Sequence, residues 1–542
     1  MTSRRTCVLS GLTALLVAVT PAVAAGAPAG PLSQPGQPVP ALSWAACGTS
    51  ADGTAAGVQC ATAPLPMDYD KPQGPQVQIA VARVPATDPT QRIGSLFFNF
   101  GGPGAPAVKY LQAAGAGLFA TLNARFDIVA FDPRGVGQSV PSIDCGVDQE
   151  TQGFVPRPAP TPVDLDADAL VTHARAYVDS CLANNGEILR HLSTANVARD
   201  MDALRAAVGD ERLSYLGFSY GTFLGATYAA LFPDRYRALV LDGAVDPEPW
   251  IHDPVSQSES QLVAFEFALD RFLAACAADQ TACSGFGGSD PFTAYDALLA
   301  SAAGTPIPAP RRIEDPRPVT ADDIRAVTAQ LLYAKRFWGV LAAALSQAAS
   351  GDGSLVRAIL DLIVFPPNDP TLDRFLAIAG SEQQWPRNVD AYLERGAREW
   401  VDHPHFWYQF AYAELPFALW PIRDKDAYAG PFTVDPSSPT PLVIGTTYDP
   451  ATPYSSAVST VKALGNARLL TMEGDGHTAY GGKSRCVDSA TETYLFGVTL
   501  PAEGTVCQQE VPFLAPQPAP SPAGTGSGGA TGGGWSQVTD RP

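Results

Sequence analysis

The sequence predicts an α/β fold: a mostly parallel sheet flanked by helices, with a large helical lid inserted late in the chain. Three observations carry this. Between residues 77 and 241, short apolar runs alternate with amphipathic helical periods. From 247 to 438 the periodicity is almost entirely helical. Strand and helix then alternate again to the end of the last apolar segment.

Each element has a local reason. Residues 77–84, 95–100 and 127–131 are short apolar or alternating runs bounded by Gly, Pro or Asp, and read as strands. Residues 106–122 follow a Gly-Pro turn and read as a helix. Helices are expected over 166–183 and 195–208. Residues 213–218 form a strand that runs directly into an Ala-rich helix over 220–231, and 238–241 form the next strand. The clearest helices of the insertion are 261–277, 321–333, 337–349 and 389–401. Strands at 441–445 and 468–472 and helices at 454–464 and 487–495 complete the pattern. The expected organisation is therefore a core in two parts, 43–246 and 439–514, around a helical lid, 247–438.

The ends have a different character. Arg4 and Arg5 precede an apolar stretch, and Ala22-Val23-Ala24 offers a small-residue cleavage site, so 1–24 reads as a secretory signal. Ser3-Arg4-Arg5 also admits a twin-arginine signal. Residues 25–42 read as a flexible leader and 515–542 as a disordered Pro/Gly-rich tail. No other stretch is long enough to span a bilayer. The expected location is extracellular, with no stable membrane insertion once the signal is removed.

Composition narrows the partners. The 542 residues carry 35 Lys plus Arg against 54 Asp plus Glu, a net charge of −19. That balance argues against nucleic acid, which demands a basic face. It suits ligands with cationic groups, such as free amino termini. Nine cysteines are present, and Cys7 leaves with the signal. An even remainder in an exported chain implies disulfides, and locality pairs them as 47–60, 145–181, 276–283 and 486–507. No C-x-x-C spacing supports a zinc site.

The sharpest chemical signal is Gly217-Phe218-Ser219-Tyr220-Gly221, at a strand-to-helix junction. A serine there sits on a strained turn that exposes its hydroxyl, and small flanking residues let the turn close. The Tyr220 amide begins the helix and faces a developing oxyanion. A nucleophilic serine needs a base that follows the last core strand. Of six histidines only His477, in Gly474-Asp475-Gly476-His477, fits. His403-Pro404-His405 invites a metal reading, but its aromatic neighbours Trp400, Phe406, Trp407 and Tyr408 favour packing. The acid that orients the base is Asp449 as first choice, after the strand at 441–445, with Asp242 and Asp246 as rivals. The second oxyanion donor is expected from Asn99-Phe100-Gly101-Gly102-Pro103-Gly104, where Gly102 is preferred over Gly101. Asp132-Pro133-Arg134-Gly135-Val136-Gly137-Gln138-Ser139 is read as a charged tie between loops.

Together these segments resemble the α/β-hydrolase fold and, more narrowly, the secreted tripeptidyl aminopeptidases, relatives of the prolyl aminopeptidases. The resemblance runs from Trp44 to Phe513. It includes the Asn99 and Asp132 segments, Ala198-Arg199-Asp200-Met201-Asp202, and Leu216-Gly217-Phe218-Ser219-Tyr220-Gly221-Thr222. It continues through Val240-Leu241-Asp242-Gly243, Tyr448-Asp449-Pro450-Ala451-Thr452-Pro453, the His477 loop, and Cys486 followed by Cys507. The resemblance implies Ser219, Asp449 and His477 as a triad, and cleavage of short peptides from a free amino terminus. Two departures stand out. Phe100 stands where such proteins usually have Pro, and two lid positions that often carry cysteine hold Gly380 and Phe417. Their joint absence is what loss of one disulfide gives, and it predicts a looser or differently shaped lid.

The expected chemistry is acyl transfer at Ser219, with neither metal nor organic cofactor required. An exopeptidase also binds the substrate ammonium, which needs a carboxylate when buried. Glu382 and Glu414, in apolar and aromatic surroundings of the lid, are the candidates. The alternative is a carboxylester hydrolase or lactonase, because both reactions use the same triad and intermediate. A non-catalytic binding protein on the same scaffold is disfavoured by the complete set of Ser219, Asp449, His477 and Gly102.

Overall fold

In the computed structural model, residues 39–47, 57–154 and 156–513 are described. The signal, most of the leader and the tail expected from sequence lie outside the described residues. Ten strands occur in chain order: β1 (Ala45–Ala46), β2 (Gln59–Pro66), β3 (Gln76–Val84), β4 (Gly94–Asn99), β5 (Phe126–Phe131), β6 (Leu213–Phe218), β7 (Tyr236–Asp242), β8 (Leu442–Tyr448), β9 (Arg468–Asp475) and β10 (Val506–Gln508). They form one sheet in the order β1-β2-β3-β5-β4-β6-β7-β8-β9-β10. The first three strands run antiparallel to their neighbours, and every pairing from β5 through β10 is parallel.

The parallel strands are apolar on both sides because both faces are covered. In β7, Leu239 and Leu241 point into one core with Tyr215 and Leu224, whereas Ala238 and Val240 point into the other with Leu216 and Leu470. Helices Ala167–Asn185, Thr194–Ala207, Tyr220–Leu231 and Tyr454–Leu464 line the first face. Helices Val108–Ala114 and Arg485–Gly497 line the second.

Two local expectations change. The helix expected over 106–122 is broken into Val108–Ala114, a 3-10 turn at Gly115–Gly117 and Ala120–Asn123. Gly115 takes a positive φ of 52°, and two glycines in three residues do not sustain a helix. Strand β2 went unpredicted because Pro64 and Pro66 argue against a ladder strand. Its partner β1 pairs only with Gln59 and Cys60, so both prolines fall where one side of β2 is an edge.

Between β7 and β8 the chain is helical, as the periodicity requires, from Pro247 to Leu419. The segment has two packing allegiances. Leu262, Phe265, Leu269, Phe272, Trp338 and Leu341 belong to a separate core of their own. Leu376, Trp385, Trp407, Phe417 and Trp420 instead join the core that covers the first sheet face. The four disulfides are Cys47–Cys60, Cys145–Cys181, Cys276–Cys283 and Cys486–Cys507, the pairs that locality selects. No helix among the described residues is long and apolar enough to cross a membrane.

The Asp132 segment ties loops together as read from sequence. Asp132 accepts from the amides of Ala107 (2.7 Å), Val108 (2.9 Å) and Gln138 (2.8 Å). Arg134 is fully buried and binds both carboxylate oxygens of Asp200 at 2.7 and 2.6 Å. It also donates to the carbonyls of Pro66, Met67 and His191, so its guanidinium joins β2, the loop before helix Thr194–Ala207 and that helix itself. Removing one partner of a buried ion pair strands the other. Arg134→Ala is therefore expected to lower the unfolding free energy by about 3–5 kcal/mol. Urea denaturation at neutral pH measures this, and a loss within error of zero would show that the pair does not hold these loops.

Candidate active site

Strand β6 ends at Phe218, and Ser219 turns the chain into helix Tyr220–Leu231 with φ 54° and ψ −127°. A non-glycine residue in this region is strained and persists only where its surroundings over-determine it. Here they do. The Ser219 amide donates to the Asp242 carbonyl at 3.0 Å. The Ser219 carbonyl accepts from the Thr222 amide at 2.8 Å and the Thr222 hydroxyl at 2.6 Å. A Cβ on Gly217 would lie 2.3 Å from the Gly221 carbonyl oxygen, and one on Gly221 would lie 2.7 Å from that of Asn99. Glycine at both flanks is thus a packing requirement.

Asp449 follows β8 and His477 follows β9, so three strand ends of a parallel sheet deliver Ser219, Asp449 and His477 to one edge. His477 Nδ1 lies 2.9 and 3.0 Å from the two Asp449 carboxylate oxygens. The carboxylate is itself immobilised. Oδ1 accepts from the amides of Ala451 (2.9 Å) and Thr452 (2.8 Å), and Oδ2 accepts from the Thr452 hydroxyl (3.0 Å) and the Thr478 amide (3.2 Å). His477 Nε2 is buried and makes no hydrogen bond to a described residue. Ser219 and His477 are each only 7% exposed.

The rival acids take other places. Asp242, at the end of β7, accepts from the amides of Ala479 (2.9 Å) and Tyr480 (2.8 Å) and so fixes the loop just past His477. Burial raises its pKa to about 6. Asp246 caps helix Pro247–His252, accepting from the Glu248 amide.

The loop after β4 packs directly on the serine turn. A Cβ on Gly101 would lie 2.8 Å from the Ser219 Cβ and 2.9 Å from the Tyr220 nitrogen. The Gly101 amide is already committed to Asn99 Oδ1 at 2.8 Å. The next amide is that of Gly102, at φ 102°, and the Tyr220 amide stands at the first turn of its helix with no intrahelical partner to take. Phe100, the departure from the family pattern, packs against Phe98 (5.1 Å), Tyr110 (5.4 Å) and Phe218 (6.0 Å between ring centroids).

Both lid glutamates are buried, in different company. Glu382 accepts from the Thr194 amide (2.8 Å), the Thr194 hydroxyl (3.0 Å) and the Trp250 indole (3.1 Å). The Thr194 oxygen also meets the Tyr220 hydroxyl at 2.6 Å, which links Glu382 to the residue after the serine. No cation pairs with Glu382 among the described residues, and burial raises its pKa to about 7. Glu414 is ion-paired with Arg395 and accepts from Ser258 at 2.5 Å. The positions that lack cysteine are filled by aromatic packing. Phe417 stacks on Trp385 at 4.3 Å with an interplanar angle of 2°, and a Cβ on Gly380 would lie 2.9 Å from the Trp420 ring. The lid is closely packed at this point. His403 bonds Glu399, and His405 lies between Glu266 and Asp296, so both histidines have carboxylate partners within the insertion.

Sequence reasoning gave no role to Thr452, Asn99, Lys483 or Tyr333. Thr452 was visible in the motif that holds Asp449, three residues on, the spacing of a local side-chain turn. Lys483, also buried, donates to the His477 carbonyl at 2.8 Å and the Thr478 hydroxyl at 2.9 Å. The Tyr333 carbonyl, from the insertion, accepts from the His477 amide at 2.7 Å. No local signal marks Tyr333, whose contact arises only when distant segments meet, whereas Lys483 reaches back six residues within its own loop.

Comparison with known proteins agrees with this geometry. Residues 97–283, with Gly102 and Ser219, match the family described as alpha/beta hydrolase fold. Residues 405–507, with Asp449 and His477, match the family described as TAP-like protein. The chain is 33% identical over 495 residues to the serine protease Hip1 of Mycobacterium tuberculosis, covering 87% of this chain and 91% of that protein. It is 31% identical to the tripeptidyl aminopeptidase of Streptomyces lividans over 482 residues, 85% of each chain. It is 34% identical over 500 residues to a protein of M. tuberculosis named carboxylesterase B, covering 87% of this chain and 91% of the other.

The raised pKa of Glu382 has a consequence for stability. The folded carboxyl holds its proton up to about pH 7, whereas the unfolded one loses it near the ordinary glutamate value of 4.5. The unfolded state therefore binds fewer protons between these values, and stability falls as pH rises through that window. Glu382→Gln is expected to flatten this fall. Melting curves of the parent and variant from pH 4.5 to 8 measure it. Parallel curves would show that Glu382 does not carry the dependence.

Proposed function

This chain belongs to the tripeptidyl-aminopeptidase-like family of alpha/beta hydrolases, and on that premise we propose that it is an exported serine exopeptidase. Its substrates are short peptides with a free amino terminus, probed most directly as tripeptides. The observation that carries this reading is enclosure. Ser219 and His477 lie almost wholly covered, with the helical insertion packed against both the serine turn and the histidine loop. A chain end enters such a site, whereas an internal peptide bond would need the substrate to leave on two sides. The named activities of the Mycobacterium and Streptomyces relatives agree with peptidase chemistry.

The steps follow from the groups at hand. His477 Nε2 takes the proton of the Ser219 hydroxyl as Oγ attacks the scissile carbonyl. Asp449 holds the imidazole with Nδ1–H toward its carboxylate and stabilises the imidazolium. The Gly102 and Tyr220 amides receive the oxyanion, each donor being worth about 3–4 kcal/mol in the transition state. The imidazolium returns its proton to the leaving amine, and water then resolves the acyl-enzyme through the same base. Glu382 is the stronger candidate for the substrate ammonium, since it has no cationic partner among the described residues, whereas Glu414 already has Arg395. Four disulfides agree with an oxidising compartment and hence with export.

A second reading, a carboxylester hydrolase, is favoured by the relative named carboxylesterase B. One experiment separates the two. Release of a chromogenic amine from Ala-Pro-Ala with a free amino terminus is compared with release from the same peptide acylated, and with hydrolysis of a short-chain ester. Cleavage of the free form alone is the expected result. Ser219→Ala is expected to reduce it by about 10⁴–10⁶-fold and Asp449→Asn by about 10⁴-fold. Ester hydrolysis with neither peptide cleaved would overturn the peptidase reading, and an active Ser219→Ala would overturn the site.

A further inference from the structure

The helical insertion touches the acid and base loops at a series of specific points. Tyr333 is the residue just past helix Ala321–Leu332. Its carbonyl accepts from the His477 amide at 2.7 Å, and its ring stands edge-on to the imidazole at 5.4 Å and 87°. The next residue, Ala334, forms an antiparallel bridge with Gly476. Gly476 has a φ of 95°, and a Cβ there would lie 2.8 Å from the Tyr333 carbonyl oxygen, so the approach is closed to any other residue. Beside this bridge the buried Asp475 accepts from Lys335 at 2.7 Å and from Arg271 at 2.5 Å, both cations coming from the insertion. Arg271 also lies over the Tyr448 ring at 3.5 Å, one residue before Asp449, and Gln261 of the same helix, Pro254–Ala278, donates to the Ala451 carbonyl.

We infer that the insertion completes the acid–base pair: Tyr333 is a positioning residue for the His477 imidazole, and Asp475 with Lys335 and Arg271 anchors it there. This rests on the reading of Ser219, Asp449 and His477 as a triad. The core supplies only part of what holds the imidazole. Asp449 holds Nδ1, Asp242 and Lys483 hold the backbone after it, and a Cβ on Gly243 would lie 3.1 Å from Cε1. The edge-on ring contact, and the hydrogen bond of the His477 amide itself, come from the insertion. Displacing the insertion thus unseats the base as well as opening the site, so enclosure of substrate and competence of the base arise together.

The test uses the full chain and kcat per active site, titrated with a fluorophosphonate, on whichever of the tripeptide amide or short-chain ester is hydrolysed. Tyr333→Leu removes the ring contact and is expected to lower kcat about 10–100-fold, as expected for a base displaced by up to 1 Å, with KM changed less than about threefold. Tyr333→Phe keeps the ring and is expected to recover kcat to within about threefold of the parent. The double variant Arg271→Gln, Lys335→Met releases Asp475 from the other direction and is expected to lower kcat in the same sense. It serves as the test if Tyr333→Leu does not fold. Parent-like kcat in Tyr333→Leu, or in the double variant where that one does not fold, overturns the inference. So does a loss that Tyr333→Phe does not recover. His477→Ala run alongside separates the failures: retained activity there sinks the triad reading, whereas an inactive His477→Ala with parent-like Tyr333→Leu sinks this inference alone.

Discussion

Two backbones meet at the centre of this molecule with no room for a side chain between them. A Cβ on Gly101 would collide with Phe218, Ser219 and Tyr220 at 2.7–2.9 Å. The loop after β4 therefore lies flat on the serine turn, and this contact sets where the Gly102 and Tyr220 amides stand relative to the Ser219 hydroxyl. The same constraint recurs around it. Gly217 and Gly221 let the turn close, Gly243 lets the imidazole sit against β7, and Gly476 lets the insertion reach the histidine loop. The energetic logic is common to all four: strain and close approach are local costs, and the buried sheet on which they are built is rigid enough to carry them.

Rigidity comes from the two-sided parallel sheet and from a few buried polar ties. Asp132, Arg134 with Asp200, Asp242 and Asp449 each accept or donate several hydrogen bonds, so their burial is compensated. All but Asp200, which reaches in from helix Thr194–Ala207, lie where loops leave the carboxyl ends of strands, which is where a parallel sheet gathers residues distant in sequence. The insertion extends this arrangement. One part has its own core, and the other is continuous with the core beneath the first sheet face. It is thus fixed to the sheet on one side while reaching the acid and base loops with Arg271, Tyr333 and Lys335 on the other.

Much of the fold was legible because its signals are local. Strands β3 to β9 are apolar runs of the right length, and helices such as Thr194–Ala207 and Val389–Asp402 repeat their apolar residues at helical spacing. What failed did so for stated reasons. Pro64 and Pro66 hid a strand that tolerates them at an edge, and the stretch ending in Gly115 and Gly117 looked helical on composition while glycine broke it. The expected loosening of the lid at Gly380 and Phe417 met a different outcome, because loss of a crosslink is read from two positions but the aromatic filling by Trp385 and Trp420 depends on four.

By itself the sequence determined the order and type of most main elements and the serine turn, and it put forward Ser219, His477 and, first among three aspartates, Asp449, with cysteine pairing given only as a choice by proximity. These follow from turn chemistry, periodicity and spacing, all of which act over a few residues. Only the tertiary structure decided which of Asp449, Asp242 and Asp246 faces the imidazole, that among the described residues Glu414 has a cationic partner and Glu382 does not, and that Tyr333 meets the histidine. Those outcomes are contacts between segments tens to hundreds of residues apart. Each is set by how the sheet and insertion pack, which no local pattern of residues encodes.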